Sequence, residues 1–153
     1  IAALDELVAN RAREGERMGD LIAQRCDSIQ QIVNSTREKM PEIQARYQKK
    51  LRDRLDELNI EVNADRLEQE LVYLAQKMDV DEELDRLDSH LEEMKDILSR
   101  DEAVGRRLDF LMQELNREAN TLGSKSADIS STNASVELKV LIEQMREQIQ
   151  NIE

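Results

Sequence analysis

"GRRLDFLMQELNREANTLGSKS", residues 105–126, is the stretch on which the fold turns. Wound at ~100° per residue, Val104 just before it gathers on one side with Leu108, Leu111, Met112, Leu115, Ala119 and Leu122, so the segment reads as a helix burying one face. Gly123 reads as the C′ residue that closes it. Arg106, Asp109, Gln113, Arg117 and Asn120 fall on roughly the opposite arc, with Phe110 and Thr121 beside them and Glu114 and Glu118 just beyond. The single phenylalanine is therefore off the apolar face.

That polar arc admits two accounts. Asp109 with Gln113, and Glu114 with Arg117, have the spacing of ordinary helix-surface pairs worth about 0.2–0.5 kcal/mol each, with Phe110 filling a contact between subunits. Alternatively, two guanidinium groups, two amides and an aromatic ring converge on a face suited to phosphates and unstacked bases.

The same helical spacing extends in both directions. Leu4, Leu7, Val8, Met18, Leu21, Ile22, Ile29 and Val33 mark a first long helix, softened at Gly15. Ser35 with Glu38 resembles a capping box, and Pro41 sits near the start of a second helix through Ile43, Tyr47, Leu51, Leu55 and Leu58. "NIEVNAD", 59–65, predicts a turn, after which Asp65 with Glu68 caps a helix through Leu67, Leu71, Leu74 and Met78. Asp79 with Glu82 repeats the device ahead of Leu84, Leu87, Leu91, Met94 and Leu98. "SKSADISSTNAS", 124–135, is polar, small and aperiodic, and predicts a mobile loop. Beyond it Leu138, Ile142, Met145, Ile149 and Ile152 form a heptad seam that needs another helix.

Composition agrees with helix throughout. The 153 residues include one proline, four glycines and 2% aromatics against 37% charged residues, which leaves nothing to build a sheet. The expectation is one all-α unit over 1–153, an elongated bundle of five to six long helices with a polar loop before the C-terminal heptad helix. Narrow apolar stripes of this kind bury little alone, so a homo-oligomer is expected. The chain begins at Ile1 inside an apparent helix with no initiator methionine, and reads as a piece of a longer protein. Lone Cys26 rules out an internal disulfide. The longest apolar runs, Ile1–Leu4 and Val140–Ile142, are far shorter than a bilayer span, so no membrane is a partner.

Net charge is −12, which opposes generic binding to a polyanion. The charge is uneven: residues 46–54, "RYQKKLRDR", carry five cations against one aspartate, whereas residues 79–102 carry eleven acids against three bases. An acidic run of that density is either a solvated face or a collector of divalent cations. Within it Glu82, Arg86, His90 and Glu93 form a stripe, and Glu83 lies seven residues before His90 along the edge of the apolar face. The only histidine is either a structural group or, flanked by carboxylates that favour its protonated form, a proton carrier beside a hard metal ion. Lys125 follows the fifth helix, where a cation complements the dipole. The chain has no GxxxxGK[ST], zinc spacing or nucleophile elbow, which leaves no nucleotide cofactor and only carboxylate oxygens for metal chemistry.

Three ordered blocks, "DVDEELDRLDSHLEEM", "GRRLDFLMQELNREANTLGSKS" and "VELKVLIEQMREQIQNIE", resemble the C-terminal region of the YicC-like family. The resemblance runs from the Arg-Glu-Gly at 13–15 to the terminal Asn-Ile-Glu. It implies a bacterial, cytoplasmic, stress-linked and metal-dependent endoribonuclease acting as a hexamer around RNA, whose N-terminal domain lies outside these residues. Glu82, Glu83, Glu114 and Glu118 would then be ligands of a divalent metal, Mg or Mn. His90 would be the general acid or base, with Glu83, Arg86 and Arg117 completing the catalytic group. Arg106 would join the arginines in holding phosphates, and Asp109, Phe110, Gln113, Asn120 and Lys125 would contact RNA. Glu137, Lys139, Glu143, Arg146, Glu147 and Asn151 are the matching positions of the third block. The resemblance favours the functional account of the polar arc; the rival is a non-catalytic RNA-binding or oligomerisation scaffold.

Overall fold

The computed structural model describes residues 1–58, 61, 63–100, 105–126 and 129–150, and within them the protein is all-α. The elements are α1 (Ala2–Glu57), α2 (Ala64–Met78), α3 (Asp81–Leu98), α4 (Gly105–Lys125) and α5 (Ile129–Gln150). Helices α1, α3, α4 and α5 pack as a four-helix bundle, while α2 leans on α1. Each contributes one stripe to a common core: Ile22, Cys26, Ile29 and Val33; Leu84, Leu87, Leu91 and Met94; Leu108, Leu111, Met112 and Leu115; and Leu138, Ile142 and Met145. At ~1.5 Å per residue α1 runs for roughly 84 Å. Its middle joins the bundle, and its residues up to position 17 are exposed to water.

Three helix boundaries or partners, and the caps of α2 and α3, differ from those the spacing predicts. Ser35 and Glu38 do not open a new helix, because α1 continues through Pro41. An interior proline costs about 3 kcal/mol by removing a hydrogen bond and crowding the preceding turn. Burial on both sides of it opposes a break: Val33, Thr36, Met40 and Ile43 stay in one stripe. Arg37 reaches Asp85 at 3.0 Å and Asp88 at 2.6 Å on α3, which pins the turn just before the proline.

The second correction concerns 124–135. α4 continues through Gly123 to Lys125, and α5 begins at Ile129, so most of the expected loop is helix. Its small residues serve close packing. Ser131 and Ser135 are buried, and Ser135 Oγ donates to the Ala119 carbonyl at 2.7 Å across the α4–α5 interface. A Cβ on Gly123 would stand 2.6 Å from Ser135 Oγ, so this glycine permits an approach and does not end a helix.

The third correction is that the C-terminal seam has its partner within the chain. Leu138, Ile142, Met145 and Ile149 are buried, and α5 packs on α4 and α1. Asn63, and not Asp65, caps α2 by accepting from the Asp65 amide at 3.0 Å. Val80, and not Asp79, is the N-cap of α3; Asp79 accepts from the Asp81 amide at 3.0 Å just ahead of it, and the expected pairing with Glu82 is not the cap. Val104, Asn151, Ile152 and, of the 59–65 turn, Asn59, Ile60 and Val62 lie outside the described residues. No described helix is long and apolar enough to cross a membrane.

Two outcomes follow for stability. Alanine is the better helix former than glycine by about 1 kcal/mol. Gly123→Ala should nevertheless lower stability by about 1 kcal/mol or more in urea unfolding, and the loss should shrink in a Ser135→Ala background. Burial pushes the Cys26 thiol up to about 11, only partly offset by the attraction of Lys95. At pH 8 native protein should resist iodoacetamide and react on unfolding. Because the folded value lies above the ordinary 9.0, the stability gained from a neutral thiol is intact below pH 9 and is lost as pH rises towards about 11.

Candidate functional site

Helices α3 and α4 run antiparallel, and their apolar faces meet in the core. Side chains three and four residues apart share a helix face, so the positions bordering those faces line up opposite one another. On α3 the border residues are Glu83, Arg86, His90 and Glu93; on α4 they are Lys125, Glu118, Glu114 and Arg107. The result is a polar seam along one edge of the interface.

Lys125 Nζ donates to Glu83 Oε1 at 2.6 Å at one end of the seam. Next comes Arg86, whose Nε lies 3.1 Å from Glu118 Oε1, with Nη1 3.7 Å from Glu82 and Nη2 3.7 Å from Glu83. The hydrogen bond and charge of Glu118, helped by Glu83 and Glu82, push the Arg86 guanidinium above its ordinary pKa. At the far end Arg107 pairs with Glu93, and its guanidinium stands 5.4 Å from the centroid of the Phe110 ring. Between these pairs His90, Glu114 and Glu118 each present one ligand atom, all within 4.8 Å of one another.

Burial makes this arrangement expensive. Glu83 is 2% exposed and Glu118 is 5% exposed, and a carboxylate withdrawn from water needs a counter-charge or hydrogen bonds. Two seam atoms are buried without a partner, Glu83 Oε2 and His90 Nε2. Along the seam four carboxylates (Glu83, Glu93, Glu114 and Glu118) face three cations (Arg86, Arg107 and Lys125), which leaves one negative charge. A net negative seam with imidazole and carboxylate donors suits a divalent ion, so the residues present fit such a group.

The residues singled out from sequence divide into two places. Glu83, Arg86, His90, Glu114, Glu118 and Lys125 share the seam. Glu82 lies on the outer side of Arg86 with its side chain 81% exposed, and Glu83 is engaged by Lys125, so neither joins the three-residue cluster. Arg106, Asp109, Phe110, Gln113, Arg117 and Asn120 occupy the neighbouring, more open face of α4. There Gln113 Nε2 donates to Asp109 Oδ2 at 3.5 Å, and Phe110 is 47% exposed. The Glu114–Arg117 pair that spacing allows does not form, and Arg117 has no ion pair among the described residues. Glu137, Lys139, Glu143, Arg146 and Glu147 are exposed on α5. Arg107 escaped the sequence reading; its three-residue spacing to Phe110 was the available signal, and only the antiparallel packing brings Glu93 opposite it.

Removing one partner from the buried pair tests the seam's electrostatics. Lys125→Met should cost about 2 kcal/mol by stranding the Glu83 carboxylate, below the full range for a buried pair because the lysine is itself partly exposed. Adding Glu83→Met should recover most of that loss in urea unfolding, since both partners then become apolar.

Residues 36–153 match the family described as "Endoribonuclease YicC-like, C-terminal". The chain is 51% identical over 150 residues to "Probable endoribonuclease YicC" of Haemophilus influenzae, an alignment covering 98% of this chain and 52% of that protein. It is 40% identical over 154 residues to the protein of the same name from Clostridioides difficile, covering 99% of this chain and 53% of the relative. The chain thus spans about half the length of each of these relatives. On the family match and both identities, it belongs to the YicC-like endoribonuclease family, of which it represents the C-terminal helical part.

Proposed function

We propose that this helical part carries the cation site and the RNA-contacting face of a metal-dependent endoribonuclease. The observation that supports this most is the cluster of His90, Glu114 and Glu118 at the centre of the seam. Its imidazole Nε2 is buried and unpartnered, in a seam of net negative charge. Buried polar atoms without partners are rare in folded proteins, and a ligand would satisfy this one.

In this reading His90, Glu114 and Glu118 hold a divalent ion, Mg or Mn. Glu82 and Glu83, expected among the ligands, serve Arg86 and Lys125 instead. A divalent ion held there would supply Lewis-acid polarisation of a phosphodiester oxygen. The chain's own groups would do the rest. Arg117 and Arg106, exposed on α4, would grip phosphates with planar forks. Phe110, one helical turn from Glu114, would stack an unpaired base, while Gln113 and Asn120 offer amides to its edge. A local cation also answers the repulsion between RNA and a chain of net charge −12. Self-association is part of the proposal. Its support is the narrowness of the apolar stripes and not the C-terminal seam, which is already covered within the chain.

The test uses full-length protein and a labelled single-stranded RNA. Cleavage should need Mn²⁺ or Mg²⁺ and stop with a chelator. His90→Ala, which removes a direct ligand, should lower it at least roughly hundred-fold, the upper end of what losing a group that merely orients a ligand costs. Arg117→Lys, at a site free of ion pairs among the described residues, should lower cleavage roughly ten-fold at unchanged stability. Cleavage that persists in chelator, or in His90→Ala at the normal rate, overturns the cation site. Salt-sensitive RNA binding with no cleavage points to the scaffold instead.

A further inference from the structure

Arg86 stands apart from the other arginines of the site because its guanidinium is already committed. Its three nitrogens face three carboxylates, Glu82 and Glu83 from its own helix and Glu118 from α4. The rigid fork carries five donors in fixed directions and no acceptor, so such a grip fixes orientation as well as charge. A phosphate competing for that fork would have to displace Glu118, and leave a carboxylate that is 5% exposed with no counter-charge. Arg106 and Arg117 are exposed and carry no such commitment among the described residues.

Glu118 is the residue that Arg86 shares with the His90 cluster. A carboxylate has two oxygens and about four lone-pair sites, so a grip at Oε1 leaves capacity for an ion. Glu83 lies behind Arg86 and is itself tied to Lys125 at 2.6 Å. Lys125, Glu83, Arg86 and Glu118 therefore form one relay from the last turn of α4 to the cluster. Resting on the cation reading above, we infer that Arg86 is a positioning residue of the cation site: braced by Glu83 and Lys125, it fixes the Glu118 carboxylate and does not bind RNA phosphate.

Charge and orientation make opposite claims about a lysine at this position. Lysine keeps the positive charge, but one compact ammonium cannot hold Glu118 from α3 while meeting Glu82 and Glu83. If charge alone matters, Arg86→Lys is a rescue; if orientation matters, it is a loss. Groups that orient metal ligands typically change metal affinity by 10–100-fold.

The experiment is a Mn²⁺ titration of full-length protein followed by electron paramagnetic resonance, with urea unfolding and chelator-treated RNA binding measured on the same samples. Arg86→Lys should raise the Mn²⁺ Kd roughly ten-fold or more while leaving RNA affinity in chelator unchanged. A Mn²⁺ Kd within two-fold of wild type overturns the inference, as does a ten-fold loss of RNA affinity in chelator. Should Arg86→Lys fail to fold, Glu83→Gln tests the same relay from behind. It should weaken Mn²⁺ binding several-fold, and unchanged binding there counts equally against the relay. Wild-type protein that binds no Mn²⁺, or binds it as tightly after His90→Ala, removes the cation site itself. Wild-type binding that depends on His90 but ignores both relay variants removes only the role of Arg86.

Discussion

Two carboxylates held almost out of water govern the rest of the seam. Glu83 and Glu118 sit at the margin of an apolar interface, where an unpaired charge costs far more than on an open helix face. Their neighbours follow from that constraint: Lys125, from α4, pairs with Glu83, and Arg86, from α3, meets both Glu118 and Glu83. Once those pairs form, α3 and α4 are locked in a single relative register, because a shift by one turn would part every pair at once. Hydrophobic burial brings the two helices together, and the ion pairs choose the alignment. Buried ion pairs add little net stability and are better understood as devices of specificity.

Function sits on the same edge for a related reason. A solvated acidic face offers a cation little that water does not, whereas donors at the border of a dry core are already poorly hydrated and fixed in place. The His90, Glu114 and Glu118 cluster lies on that border, while Glu82, four residues before Arg86, lies in bulk solvent. Among acidic residues of similar spacing, depth separates those suited to hold an ion from those that only neutralise an arginine.

Periodicity made the helices and most of their buried faces legible. Leu84, Leu87, Leu91 and Met94, like Leu108, Leu111 and Leu115, stand in the core where a wheel places them. Local punctuation was the weaker guide. Pro41 and the Ser35–Glu38 pair are local signals of a helix start, and tertiary burial of the surrounding stripe overrode them. Serines and alanines at 124–135 suggested a loop, because small residues lack hydrophobic contrast, yet the same smallness allows α5 to approach α4. The site was half legible for a similar reason. Spacing along one helix identifies candidates, but only packing shows that Glu118 belongs with His90 and that Glu83 belongs with Lys125.

The contact between Gly123 and Ser135 also reaches the chemistry of the seam. α5 supplies none of the ion pairs described above, yet it presses on the last turn of α4 with no room for a methyl group. Lys125 is two residues further along that turn, and its ammonium is the anchor of Glu83. The clearance between two helices, set by the absence of one carbon atom, therefore governs how far a charge can reach on the opposite side of α4. In mechanical terms α5 is a thrust bearing: it takes no part in the electrostatics, and it sets the tolerance to which they are machined.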